Sequence, residues 1–370
     1  MNRLSRIEIS GFKSLRNVGL DLGPLNVLIG ANGAGKSNFV SFFKMLNEMV
    51  GEPPRFQQYV AVAGRAKSLL HYGPKTTPQI EGRLFFQTEA GENQYFVRLF
   101  HAAGDTLLFA DEELYFHRTN APSPSIDSLG AGHSETRVKA QAEAGDPKAK
   151  VFRHLLSTCR VFHFHDTSAT APIRQACYVE DNRWLYPDAH NLAAMLHKYQ
   201  QTQPVVYGRI VNTIRQIVPF FGDFVLQPSA LRERDIFLNW TERDSEYLLG
   251  PHQISDGTLR AMALVTLLLQ PKEELPSLIV VDEPELGLHP QAISVLAALV
   301  KGASYSCQVI LSTQSVSLLD QFDPEHVIVV EREGGQSTFR RLDAESLKEW
   351  LDDYSLGELW EKNVIGGGPY

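Results

Sequence analysis

Two periodicities divide the chain. Leu4–Ser10 alternates apolar and polar positions, as a strand with one buried face does, and Leu20–Leu22 reads the same way. Leu25–Ile29 is a continuous apolar run, which predicts a short strand buried on both faces. It enters Gly30-Ala31-Asn32-Gly33-Ala34-Gly35-Lys36-Ser37. Over Asn38–Val50 the apolar residues return at helical spacing, at Phe39, Phe42, Phe43 and Leu46. Farther on, Ile80–Thr88, Gln94–His101 and Thr106–His117 are alternating runs split by Gly91 and by Gly104-Asp105, the pattern of an antiparallel meander. Arg118–Lys150 is polar and rich in Pro, Ser, Gly and Ala, and is expected to be a mobile loop.

A strand is expected at Cys159–His165, helices at Asn191–Tyr199 and Val205–Val218, and a hairpin from Phe224–Leu226 and Asp235–Trp240. From about residue 251 strands and helices alternate again. A helix over Ser255–Gln270 stops at Pro271, and Ser277–Val281 is a buried strand. Pro290–Lys301 is a helix opening on proline, the position where a missing N–H costs least. Val309–Ser312 and His326–Glu331 are strands with a short helix between them. No internal repeat and no sustained heptad pattern is present, so no long coiled-coil arm is expected. The pattern gives three segments of one unit: strands and glycine loop over 1–60, an antiparallel and helical insertion over 61–250, and a second α/β stretch over 251–370.

Strand, glycine loop and helix in that order form the context of a phosphate loop. Glycines let the backbone N–H groups curl toward phosphates, and the helix N-terminus adds positive potential. In Gly30-x4-Gly35-Lys36-Ser37 the lysine is placed to reach β- and γ-phosphates and the serine to hold Mg2+. A glycine-rich turn matching by chance would need neither the apolar strand before it nor the helix after it. Asn32, Gly33, Gly35 and Asn38 complete the expected nucleotide contacts. The strand Ser277–Val281 ends in Asp282-Glu283. Adjacent carboxylates at a buried strand end are costly without a cation or ligand. Asp282 therefore reads as an Mg2+ ligand, acting through water, and Glu283 as the group that polarises an attacking water.

Composition sharpens this picture. The 370 residues are 43% hydrophobic and 21% charged, enough apolar content for a sizeable folded core. A net charge of −8 argues against a surface coated in phosphate contacts but leaves room for a local basic groove. Arg137, Lys139, Lys148, Lys150, Arg153 and Arg160 outnumber Glu143 and Asp146 over one stretch. A solvated loop is the favoured reading there, and a DNA-facing patch the other. Cys159, Cys177 and Cys307 are scattered and odd in number, which fits a reducing, cytoplasmic setting better than a disulfide framework. No apolar run approaches the length of a membrane span, and the first residues do not resemble a signal peptide. His163, His165 and Asp166 form a His-x-His-Asp cluster, but no further metal ligand is evident, so a structural role or a place near the nucleotide is favoured.

Ile254-Ser255-Asp256-Gly257-Thr258 lies 27 positions before Asp282 and opens a helix, with Ser255 a natural N-cap. It resembles the ABC signature, usually Ser-Gly-Gly, with Asp256 where transporters have glycine. Asp282-Glu283-Pro284-Glu285-Leu286-Gly287-Leu288-His289-Pro290 resembles the Walker B and D-loop of the SMC, RecF and OLD-like ATPases. Ile7-Glu8-Ile9-Ser10-Gly11-Phe12-Lys13-Ser14-Leu15 resembles the start of the same group, so Gly30–Ser37 corresponds to Walker A.

The resemblance covers about 1–50 and 250–331. It implies an α/β fold: a two-lobed ABC ATPase head of the P-loop NTPase class, with an antiparallel β meander and a helical insertion. It implies ATP and Mg2+ as ligands and places Lys13 near the nucleotide. It also makes Ser255 and Gly257 a second half-site that completes the phosphate site of another subunit, and so implies a homodimer joined through ATP. Leu311-Ser312-Thr313-Gln314-Ser315 stands where the family has Ser-Thr-His-Ser. Gln314 can hydrogen-bond a phosphate or water but cannot carry charge or shuttle a proton, so slow hydrolysis is expected.

Catalysis is thus expected from Glu283, Gln314 and Lys36, and metal binding from Ser37 and Asp282. Gln175 is a weak candidate for the Q-loop glutamine. The function implied is an ATP switch in DNA repair or antiphage defence, with double-stranded DNA a candidate partner. The chain ends about 40 residues after its last expected ATPase strand, too few for a TOPRIM nuclease domain, so a nuclease or toxin effector would be a separate protein. A membrane-transporter subunit or a non-hydrolysing scaffold are the alternatives.

Overall fold

The computed structural model describes residues 2–51, 53–228 and 232–368. Two six-stranded sheets face each other across one helix. The first is antiparallel: Leu15–Asp21, Arg3–Phe12, Gln79–Thr88, Gly91–Ala102, Thr106–Arg118 and Ser125–Ser128, in that spatial order. The second runs Gln336–Arg341, Val327–Glu333, Leu25–Ile29, Gln308–Thr313, Leu278–Asp282 and Cys159–Phe162. Its last five strands are parallel and Gln336–Arg341 is an antiparallel edge.

The helix Lys36–Val50 is apolar nearly all round because it is sandwiched. Phe39, Phe42, Phe43, Met45, Leu46 and Met49 are buried between the two sheets. Along Leu278–Asp282 the pleat sends Leu278 and Val280 toward this helix and Ile279 and Val281 to the opposite face. That opposite face is covered by helices at Leu192–Thr202, Pro204–Ile217, Asp256–Leu268 and Pro290–Ser304. A parallel sheet needs cover on both faces, which explains why its strands read as unbroken apolar runs. The mixed α/β architecture expected from the sequence is the one observed.

Two expectations are corrected. Residues 118–150 are not a structureless loop. They hold the edge strand Ser125–Ser128, the helix Val138–Glu143 and the start of Pro147–Ser157, with Leu129, Val138, Ala142 and Ala149 buried. Asp146 caps the latter helix by accepting from the Ala149 N–H, with Pro147 at its first position. The apolar positions there are sparse and mostly alanine, too small to stand out as periodicity. Asp235–Ile236 does not pair with the strand near Phe224. It pairs with Cys177–Tyr178, and Phe221–Val225 pairs with Asn239–Glu242. The structure also extends past the last expected strand, through Gln336–Arg341 to helices at Ala344–Leu351 and Leu356–Glu361.

Candidate nucleotide site

Register brings the candidate residues together. Ile29 pairs with Thr313, and Asp282 with Ser312, so three parallel strands end level with one another. The glycine loop leaves the first, Gln314 follows the second, and Glu283 follows the third. Ligands of open parallel sheets gather at such carboxyl ends.

The loop is braced by its own chain. Gly35 has φ 118°, and a Cβ there would stand 1.9 Å from Ser337 Oγ. Ser337 Oγ donates to Ala34 O at 2.6 Å and accepts from Ser14 Oγ at 2.7 Å, and Asn38 Nδ2 donates to the same Ser14 Oγ at 2.7 Å. Asn38 therefore holds the loop to the Gly11–Ser14 turn. In that turn Lys13 has φ 49°, its N–H bonds Leu69 O and its Nζ lies 5.5 Å from the Phe12 ring centroid. Asn32, Gly33 and Ser37 are exposed at the mouth of the loop.

Lys36 is buried, and its Nζ donates to Gly30 O at 2.5 Å and Ala31 O at 3.2 Å. Burial lowers its pKa, and the negative charges of Glu283, Asp282 and Glu285 oppose that shift. Loop lysine and acidic strand end thus share one electrostatic environment. Lys44, two turns farther along the helix, is likewise lowered by burial and opposed by Asp282.

Asp282 Oδ1 is buried without a hydrogen-bond partner, and so is Ser312 Oγ beside it. A buried carboxylate oxygen left open fits a cation, directly or through water. Ser37 and Asp282 are the residues that would hold Mg2+. His165 Nε2 donates to Asp282 O at 2.8 Å, which fixes the strand end and gives this histidine a positioning role. Asp166 instead accepts from Ser168.

Glu283 has φ 43°, a strained conformation for a non-glycine residue and one that collects at functional turns. Its N–H bonds Ser312 O at 2.7 Å, and Gln314 Nε2 donates to its Oε1 at 2.6 Å. Thr313 Oγ1 donates to Glu285 Oε1 at 2.5 Å. Burial raises the Glu285 pKa against the Thr313 bond, and the Glu283 charge adds to the rise. Gln314 and Glu283 are therefore one hydrogen-bonded unit, a coupling that neither motif shows alone.

The signature segment faces elsewhere. Ser255 is an exposed N-cap accepting from the Thr258 N–H at 3.2 Å. No hydrogen bond among the described residues joins 255–258 to 30–37. A Cβ on Gly257 would meet Gly287 O at 2.1 Å, so the signature helix rests on the backbone of the loop after Glu283. Arg260 clamps the same junction, donating to Phe164 O, His165 O and Leu286 O at 3.0, 2.8 and 3.1 Å.

Asp256, which replaces the usual glycine, pairs with the buried Arg174 at 2.7 Å, and that bond holds its carboxyl below the usual range. Arg174 also donates to Thr167 O, Pro251 O and Ile254 O. Arg174→Ala is expected to cost about 3 kcal/mol, because buried carbonyls lose their donors. Urea denaturation measures it, and a loss below about 0.5 kcal/mol, the size of a surface change, would show that Arg174 does not hold the segment.

Sequence reading missed Ser14, Ser337, Arg174, Arg260 and Thr313. Ser14 lay inside a motif already noticed. Ser337 sits on a strand beyond the last one expected, and nothing in local sequence marks the two arginines. Gln175 is exposed and its amide donates to Ala169 O at 3.3 Å, which gives it no phosphate-facing contact.

Fold and site together resemble those of ATPase heads of the SMC/OLD-like type. Residues 173–320 match the family described as an AAA domain, putative AbiEii toxin, type IV TA system. The chain is 25% identical to the Old nuclease of Escherichia phage P2, over 94% of this chain and 62% of that one. It is 23% identical to the OLD nuclease of Thermus scotoductus, over 86% and 60%. It thus spans about three-fifths of the length of these relatives. Among solved structures, an Smc head bound to the C-winged helix domain of ScpA aligns over 94% of this chain and 99% of its own, with TM-score 0.63 and 14% identity. A Pyrococcus furiosus Smc head bound to the C-terminal domain of ScpA gives 0.62 over 95% and 99%, at 14% identity. No helix among the described residues is long and apolar enough to cross a membrane.

Proposed function

We propose that the chain binds ATP with Mg2+, closes head to head on a second copy, and reopens after slow hydrolysis. Bound ATP supplies the γ-phosphoryl group and Mg2+ supplies charge neutralisation at its oxygens. The chain's own residues supply the rest. Lys36 would leave its loop carbonyls for phosphate oxygens, Ser37 and Asp282 would hold the ion, and Glu283 would take a proton from the attacking water. The observation that carries the dimer is Ser255 and Gly257: a helix start whose serine is exposed and which has no bond to the phosphate loop of its own chain.

Slowness is supported by Gln314, whose amide holds Glu283 Oε1 but cannot shuttle a proton. The same bond favours the second reading, an ATP-binding scaffold that does not turn over. The relatives are named as nucleases and the matching family as a putative toxin, which supports a nuclease or toxin as effector; the switch would then serve DNA repair or antiphage defence in a reducing cytoplasm, with double-stranded DNA as a partner. Steady-state phosphate release with and without double-stranded DNA at low salt, read beside light scattering, tests this. Slow release, stimulation by DNA and an ATP-dependent doubling of mass are expected. Absence of release favours the scaffold, and absence of stimulation removes the DNA link.

A further inference from the structure

The cations that looked like one patch in sequence divide in the structure. Lys148 is paired with Asp127 at 2.6 Å, Lys139 with Glu143 at 3.8 Å, and Arg137 donates to Leu129 O. Lys150 and Arg160 instead turn, with Arg183, toward a cavity of about 530 Å³ that His154 and Trp184 also line. No aspartate or glutamate appears among its described lining residues. In a chain of net charge −8 this is a marked segregation of positive charge.

The two arginines are held in place without being consumed. Their guanidinium carbons lie 5.1 Å (Arg160) and 4.7 Å (Arg183) from the Trp184 ring centroid. Among the described residues the Arg160 side chain makes one hydrogen bond, a long one of 3.4 Å to Ser157 O. The side chains of Arg183 and Lys150 make no hydrogen bond or ion pair among the described residues, and both are exposed at the rim. Burial and the Arg183 charge lower the Arg160 pKa, so the cations repel one another and an anion would relieve them. Guanidiniums fixed on an aromatic ring present planar donor forks suited to phosphate oxygens.

The cavity has the volume of a small-ligand site. Its exposed cationic rim and open mouth suit a chain passing through better than an enclosed molecule. Asn47 lines it, ten residues along the sandwiched helix from Ser37 and so about 15 Å from the phosphate loop.

We propose that the cavity formed by Lys150, Arg160, Arg183 and Trp184 binds the phosphodiester backbone of nucleic acid, without regard to base sequence. This deepens the DNA link of the proposed switch by naming its contact surface.

The test is fluorescence anisotropy of a labelled duplex and of its single strand with the full, nucleotide-free chain across a salt series. Lys150→Glu/Arg183→Glu changes two rim residues and is compared with Lys75→Glu/Lys272→Glu, an equal charge change at exposed lysines elsewhere. The cavity variant is expected to bind at least about tenfold more weakly and with a salt slope smaller by about two. Melting temperature and ATP-dependent light scattering should stay at wild-type values.

Equal losses in both variants, or no loss in the cavity variant, would overturn the proposal. So would calorimetry in which inorganic phosphate alone binds the wild type as tightly as the oligonucleotide and is lost in the cavity variant, since that assigns the cavity to a free phosphate ligand. Cavity-dependent oligonucleotide binding by a protein that never dimerises with ATP would refute the switch and leave this contact standing. Dimerisation without oligonucleotide binding would do the reverse.

Discussion

Glu283→Gln is expected to slow ATP turnover by about 10²- to 10⁴-fold, the usual worth of a positioned general base, while ATP binding persists. The substitution keeps the shape of the side chain, the N–H bond to Ser312 O and a polar partner for Gln314. It removes the ability to accept a proton. A head that closes on ATP and cannot hydrolyse it should remain closed, so the variant should show a larger ATP-dependent mass by light scattering than the wild type. An unchanged turnover rate would show that Glu283 is not the base. A variant that stays monomeric in ATP would remove the dimer.

Ser255→Arg is expected to lower hydrolysis by about 10²- to 10³-fold, comparable with loss of a preorganised donor at a reacting oxyanion, and to abolish ATP-dependent dimerisation. Ser255 is exposed and caps only its own helix, so fold stability should change little more than loss of one N-cap, about 1 kcal/mol. Lys36→Ala should weaken nucleotide binding by about 10- to 100-fold through loss of a charge-assisted contact. The decisive experiment mixes the two variants. One composite site then pairs an intact Lys36 with an intact Ser255 from the other copy, so turnover should recover partly above the residual level of either variant alone. Failure of the mixture to recover, with both variants folded, would mean that each head works by itself.

How much of this could be read along the chain depended on how local the cause was. The apolar run Leu25–Ile29 running into Gly30–Ser37 and then Phe39–Leu46 carried both its secondary structure and its chemistry, because strand, loop and helix are contiguous. Asp282-Glu283 was legible for the same reason. The level alignment of Ile29, Asp282 and Thr313 was not, since strand order and register are set by packing across the sheet. Asp256 looked like a departure from a motif until Arg174, 82 residues away, was seen to pair with it. The stretch 118–150 misled because alanines bury without announcing a face. The pairing of Lys148 depends on Asp127, and the placing of Arg160 beyond the stretch depends on Trp184, neither of which is adjacent to its partner in sequence.

The contact of Gly257 with Gly287 O has a consequence for how a second copy would be felt. It is main chain against main chain, and the side chain that clamps the junction, Arg260 donating to Leu286 O, keeps its charge across the ordinary pH range. Docking at Ser255 would push directly on the loop that follows Glu283, and the strength of that push should be indifferent to pH and ionic strength even where the affinity of the two heads is not. Salt and acidity would then set how often the heads meet, while what passes between signature and acidic loop once they have met stays constant.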